Sequence, residues 1–252
     1  MPPETYLTPT SEMVHIWSDQ NRRQIIHQIW ATVLQFHIDH DVVDPSWRWV
    51  VDALRWRQGK IDLWELEKRE RTTRHDIKAL LEQTIDEIGC DQILHLGMTS
   101  ADVVDNATQV QMAQTMSLLA SRHQNPTLVN WPDWYPFRGI KGAVGTHQDQ
   151  MDLLGTADLC TRLDLAVAQQ FGFTKVMNSV GQTGMRSTDL QVASAIAVGI
   201  SNRSAQILAA GYLQMVAQYA GDTWNEGDVS SSVIRRVALP GLAFAADVDP
   251  VR

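Results

Sequence analysis

Four short stretches gather polar and charged side chains where the chain turns into or out of a helix. Arg74-His75-Asp76 stands at the front of a helical pattern beginning near Ile77. Free N–H groups and the helix dipole favour an anion at such a start, and an adjacent Arg and His strengthen that preference. His95-Leu96-Gly97-Met98-Thr99-Ser100 joins a glycine, which permits close backbone approach, to two hydroxyls placed to grip a carboxylate. Asn178-Ser179-Val180-Gly181-Gln182, with Arg186, Ser187 and Asp189 behind it, offers amide and guanidinium donors in a turn. Trp224-Asn225-Glu226-Gly227-Asp228-Val229-Ser230-Ser231-Ser232 leads into Arg235-Arg236, where Ser232 and Arg236 share a helix face and form a phosphate grip. Each stretch also has a plainer reading, as a capped helix end, a polar turn or a solvated basic turn. Together they describe donors for a small anionic ligand.

Other candidates carry less. His37-Ile38-Asp39-His40-Asp41 looks like a metal motif, but its ligands point in different directions at a helix end and no partner cluster has ligand spacing. No metal and no cofactor is expected. No glycine loop of phosphate-cradling spacing occurs. The nine tryptophans, Trp47, Trp49 and Trp56 among them, suit helix interfaces better than base stacking.

Nearly all the elements that must position these groups read as helices. Ile25, Ile26, Ile29, Trp30, Val33 and Leu34 form one apolar stripe. Asp44-Pro45 is a helix start, and Val50, Val51 and Leu54 continue it. Ile77, Leu80, Leu81, Ile85 and Ile88 make a stripe that ends at Gly89. Thr99-Ser100-Ala101-Asp102 has capping-box spacing ahead of Val103, Val104, Ala107, Val110 and Met112. Ser121 to Gly139, with Pro126, Pro132 and Pro136, reads as a connector anchored by Trp131, Trp134, Tyr135 and Phe137. Helices follow around Leu153–Phe171, Asp189–Ile200 and Ser204–Ala220, and a last one from Val229 to Ala246 is interrupted at Pro240-Gly241. Strand alternation is nearly absent, so the expected fold class is all-α.

The 252 residues are 44% hydrophobic and 20% charged, enough to bury a core and too apolar for disorder. A net charge of -8 argues against a nucleic-acid surface, while leaving room for a local anion site. No apolar run reaches the ~20 residues of a membrane span, and the first residues do not read as a signal peptide. Cys90 and Cys160 make no disulfide framework. A soluble, cytoplasmic protein is expected.

Taken in order, the clusters resemble one family. Ser11-Glu12-Met13-Val14, Arg74-His75-Asp76-Ile77-Lys78-Ala79 and Gly97-Met98-Thr99-Ser100 with Asp102 match the adenylosuccinate lyases of the fumarase/aspartase superfamily. So do Arg138-Gly139-Ile140-Lys141-Gly142-Ala143-Val144-Gly145-Thr146, Asn178-Ser179-Val180-Gly181-Gln182, Trp224 to Val229, and Ser232 to Pro240. The resemblance implies a fumarase/aspartase-like helical bundle, with a helical domain over 1–100 and a shortened central bundle domain over 101–252. It implies β-elimination of fumarate from adenylosuccinate and from the succinyl-carboxamide ribotide of purine synthesis. On the family pattern His75 and His123 are catalytic, and Arg74 and Asp76 bind substrate. Thr99 and Ser100 serve the fumarate half, Gln182 and Arg186 the polar core, and Ser232, Arg235 and Arg236 the phosphate. A homotetramer sharing residues among subunits is implied as well.

The chain also departs from the pattern. Leu7-Thr8 stands where the family has an Arg-Tyr pair. Arg122-His123-Gln124-Asn125-Pro126-Thr127 replaces the acid-histidine motif, with Pro132 and Pro136 where a long helix follows in the family. The mobile Ser-Ser-x-Met-Pro-x-Lys-x-Asn loop has no counterpart, Val198 to Ser204 resembling a shortened junction, and a shortened form without the family's C-terminal helical domain is expected. Two functions are therefore expected to compete: a reduced lyase, or a catalytically impaired homologue that binds a nucleotide or another lyase subunit.

Overall fold

The computed structural model describes residues 9–57, 61–123, 125–143, 148–177, 186–218 and 233–248, with the backbone alone for His123 and Arg186–Thr188. Helices α1 (Ser11–Ile16), α2 (Asp19–Asp39), α3 (Arg48–Trp56), α4 (Leu63–Thr73) and α5 (Asp76–Ile88) come first. Then follow α6 (Ser100–His123), α7 (Pro126–Val129), α8 (Trp131–Trp134), α9 (Gln148–Leu154) and α10 (Ala157–Gln170). The last are α11 (Arg186–Val198), α12 (Arg203–Gln218) and α13 (Leu239–Ala246). The fold is all-α, and among the described residues the only β feature is an isolated bridge between Phe137 and Val176. No helix among them is long and apolar enough to cross a membrane.

Local chemistry sets the helix limits. The Asp44 side chain accepts the Ser46 N–H at 2.8 Å, with Pro45 opening a 3-10 turn that runs into α3. Asp62 accepts the N–H groups of Trp64 and Glu65, both at 3.0 Å, to start α4. Gly89, left-handed at φ 78°, ends α5 where the apolar stripe stops. Asp102 Oδ2 accepts the Thr99 N–H at 2.9 Å, the return half of a capping box.

Two stretches differ in detail from the sequence reading. The proline-rich connector contains the one-turn helices α7 and α8; Trp131, Tyr135 and Phe137 anchor it as expected, whereas the Trp134 indole bonds within it, to Thr127 O. Trp131 Nε1 donates to Ser117 Oγ at 2.9 Å, and Tyr135 and Phe137 are buried. The interruption expected at Pro240-Gly241 is instead a π turn over Ile234–Ala238, after which the chain runs on as α13. Proline has no N–H to return to the preceding turn, and the wider π turn absorbs that defect. A Cβ on Gly241 would lie 2.3 Å from Tyr212 Cζ, so the glycine lets α12 and α13 approach.

The chain divides into two compact units. The first comprises 1–18, 108–136 and 183–252, the second 19–107 and 137–182, so α6 begins in the second and ends in the first. In the first unit α12 packs on α11 and α13, and α1 on α13. Thr10 and Arg122 there both bond to the buried Asp247 side chain. In the second unit α2 packs on α3 and α10, and α4 on α5. Its predicted stripe, Ile25 to Leu34, is buried at every named position.

Candidate functional site

The second unit holds the richest constellation. Where α4 passes into α5, Arg74 takes a left-handed conformation (φ 56°) with its N–H on Glu70 O, a strained state for a residue with a side chain. His75 turns extended and becomes the N-cap of α5, its Nδ1 accepting the Lys78 N–H at 3.3 Å. Asp76 Oδ1 also lies 3.6 Å from that nitrogen. One nitrogen cannot accept from Lys78 and donate to Asp76 together, and the shorter contact makes Nδ1 the cap. His75 Nε2 has no protein partner among the described residues. Arg74 also borders an open hollow of about 380 Å³ shared with Glu67, Glu70 and Arg71. Its two carboxylates make it no anion cleft on its own.

The loop before α6 supplies the second group. His95 is left-handed at φ 65° and Gly97 likewise. A Cβ on Gly97 would lie 2.6 Å from Gln150 Nε2 and from Leu153 Cδ1, so glycine is required. Gln150 Nε2 donates to the carbonyls of Leu96 at 3.1 Å and Gly97 at 2.9 Å. Trp30 Nε1 donates to His95 Nδ1 at 3.0 Å. Burial, and then the nearby charge of His75, lower the His95 imidazole to about 4. His75 and His95 therefore lie within electrostatic reach of one another. Of the three described non-glycine residues at positive φ, Arg74 and His95 are two. Strained backbone of this kind concentrates at functional sites.

A buried polar layer holds the start of α6. Asp102 Oδ1 accepts the Lys141 N–H at 2.8 Å, while Oδ2 accepts Gly142 N–H and Thr99 N–H, both at 2.9 Å. Arg138 pairs with Asp105, and Asp164 Oδ1 accepts the Ile140 N–H at 2.7 Å. A Cβ on Gly139 would lie 2.6 Å from Asp164 Oδ2, so this segment also needs its glycine. Burial pushes the Asp102 carboxyl up to about 6 against these donors and Arg138, and pushes the Lys141 ammonium down. The Thr99-Ser100 backbone is thereby fixed from below.

Arg74, His75, Asp76, Thr99 and Ser100 thus share the second unit. His123 closes α6 and Arg186 opens α11, both in the first unit, of which only the backbone is described at these positions. Arg235, partly buried, and Arg236, exposed, sit in the π turn. Gln182 and Ser232 lie outside the described residues. Among the described residues no group of three or more His, Cys, Asp and Glu side chains is arranged for a metal. His37, from the metal-like motif, bonds to Gln150 Oε1 at 2.9 Å, and His40 Nδ1 to Phe36 O.

Sequence reasoning missed His95 as a site residue, along with Asp102, Lys141 and Gln150 as supports. His95 stood in a singled-out stretch, yet its distinguishing bond comes from Trp30, far away along the chain.

No protein-family profile matches the chain. It is 23% identical over 219 residues to an adenylosuccinate lyase of Schistosoma mansoni, covering 67% of this chain and 44% of that protein. The lyase of Synechocystis is 27% identical over 117 residues, covering 46% and 26%. That of Staphylococcus saprophyticus is 29% identical over 115 residues, covering 43% and 24%. The matches span less than half the length of these curated relatives. Among solved structures, a fumarate lyase from Mesorhizobium aligns with TM-score 0.65 at 14% identity, covering 98% of this chain and 74% of that one. A β-carboxy-cis,cis-muconate cycloisomerase from Acinetobacter calcoaceticus aligns with TM-score 0.74 at 13% identity, covering 96% and 74%. The chain is thus similar over part of its length to adenylosuccinate lyases, and it shares the all-α fold of fumarate-lyase-type structures.

Proposed function

We propose that the chain is a carbon–nitrogen lyase of adenylosuccinate lyase type, releasing fumarate from adenylosuccinate and the related succinyl-carboxamide ribotide. The observation that carries this reading is the approach of His75 to His95 beside the Thr99-Ser100 start of α6. Two imidazoles and a helix start form a corner rich in hydrogen-bond donors. That suits a ligand bearing carboxylates and a phosphate.

In the elimination a base takes the proton next to a carboxylate, and that carboxylate carries the developing charge. The electron pair then forms the double bond of fumarate while the departing nitrogen takes a proton from an acid. His75 contacts the reacting part of the substrate, with Arg74 and Asp76 beside it. Thr99 and Ser100 hold the fumarate half, and His123 is the candidate acid. Gln182 and Arg186 hold the polar core, while Ser232, Arg235 and Arg236 meet the phosphate. Assembly into a homo-oligomer, a tetramer by resemblance, fits the exposed Val198, Ile207 and Leu208 on α11 and α12. A cytoplasmic setting fits this purine chemistry.

The missing serine loop favours one second reading, a homologue that binds the nucleotide without turning it over. Purified protein incubated with adenylosuccinate at high concentration separates the two. Fumarate release supports the lyase. Binding of adenylosuccinate with no release overturns it in favour of the second reading.

A further inference from the structure

The bond from Trp30 to His95 fixes more than a ring position. An indole N–H donates and never accepts, so the nitrogen facing it at 3.0 Å must carry a lone pair. That nitrogen is His95 Nδ1, and in a neutral ring the proton then sits on Nε2. We propose that Trp30 is a positioning residue, holding His95 in the neutral Nε2–H tautomer so that it serves as an uncharged hydrogen-bond donor beside His75. The role of that donor toward substrate rests on the lyase-site reading above; the tautomer itself does not.

Several observations converge on this assignment. Trp30 is 1% exposed, so turning the imidazole away would leave its indole N–H buried and unpaired. The two rings meet edge to face, at 5.9 Å and 83°, a favourable aromatic contact that adds to the hydrogen bond. The backbone beneath is held too, since Met98 N–H bonds to His95 O and Gln150 clamps the next two carbonyls. His95 is only half-buried, and its Nε2 has no protein partner among the described residues. The position of its titration, near 4, agrees with a ring that stays neutral at physiological pH.

The arrangement separates two roles that a single histidine rarely holds together. His75 takes the backbone N–H of its own helix on Nδ1 and is exposed. His95 takes a buried indole on Nδ1 and is itself half-buried. Two imidazoles with Nε2 free can then address one ligand without two positive charges repelling each other. The acceptor that suits a neutral N–H is an oxygen carrying partial or full negative charge, such as a carboxylate or a phosphoryl oxygen.

Imidazole nitrogen NMR of the full, ligand-free chain labelled with ¹⁵N at histidine tests this, with His95→Asn identifying the signals. The expected result is a single Nε2–H pattern for His95, unchanged between about pH 5.5 and 8. In Trp30→Phe the same signals should become a mixture of both tautomers and move with pH. A wild-type His95 that carries its proton on Nδ1, exchanges between tautomers, or titrates near 6.5 overturns the proposal. Should Trp30→Phe not fold, the wild-type spectrum decides alone. Because the protein is measured without substrate, a chain that releases no fumarate leaves this result standing, and the two failures are told apart.

Discussion

His37 Nε2 donates to Gln150 Oε1 at 2.9 Å, and Gln150 passes the contact on to the loop that carries His95. The two carbonyls opposite Gln150 Nε2 fix the orientation of its amide, and that in turn makes His37 the donor. A histidine from a metal-like motif is thus a support for the site. Gln150→Leu keeps the volume and leaves the His37 donor and two carbonyls unpaired. A loss of about 2–4 kcal/mol is expected by urea unfolding. A loss below about 0.5 kcal/mol contradicts the role given to this amide.

Two glycines separate backbone strain from steric conflict. Gly97 and Gly89 are both left-handed, at φ +65° and +78°. A Cβ at Gly97 meets Gln150 and Leu153 at 2.6 Å, whereas at Gly89 nothing lies within 4 Å. Gly89→Ala should cost about 1 kcal/mol, the strain alone, and Gly97→Ala distinctly more. Equal losses in thermal unfolding would show that the Gln150 contact is not tight.

Acid should destabilise the fold in a defined window. Unfolded histidine titrates near 6.5, but burial delays His27 and His95 to about 4. Between those values the unfolded chain binds more protons, so stability is full above 6.5 and drains away as pH falls toward 4. His27, 4% exposed, contributes about 3 kcal/mol by this route. Asp102 acts in the opposite sense. Its carboxyl is raised from 3.8 to about 6, so its contribution is full at low pH and lost as pH rises through 6. Two histidines outweigh one carboxyl, and Tm should drop by several degrees from pH 7 to pH 5. His27→Gln should shrink that drop; a drop of the same size contradicts the assignment to His27.

Much of this was legible in the sequence because local rules govern it. Asp44-Pro45, Gly89 and the Thr99–Asp102 spacing each announce a helix limit, and each limit stands where its chemistry puts it. The stripe on α2 likewise needed only its period. What escaped the sequence depends on partners distant in the chain. Nothing near His95 reveals that Trp30 fixes its tautomer, and nothing near Asp102 reveals that Lys141 and Gly142 point their N–H groups at it. The π turn was missed because the rule that proline breaks a helix does not say how the chain relaxes around it.

His75 has a structural duty as an N-cap and a proposed chemical one, and substitution can divide them. His75→Ala should cost about 1 kcal/mol in stability and ~10²–10⁴ in fumarate release. Asparagine is a good N-cap with no imidazole, so His75→Asn should recover the stability and leave the rate low. If His75→Asn restored both, His75 would be a cap and nothing more.

The most direct measurement is fumarate release from adenylosuccinate by the purified chain, compared with His75→Asn at matched concentration and matched fold. The account predicts a measurable rate in the parent and a loss of ~10²-fold or more in the variant. A parent that binds adenylosuccinate and releases no fumarate, or a variant that releases it equally fast, would contradict the account.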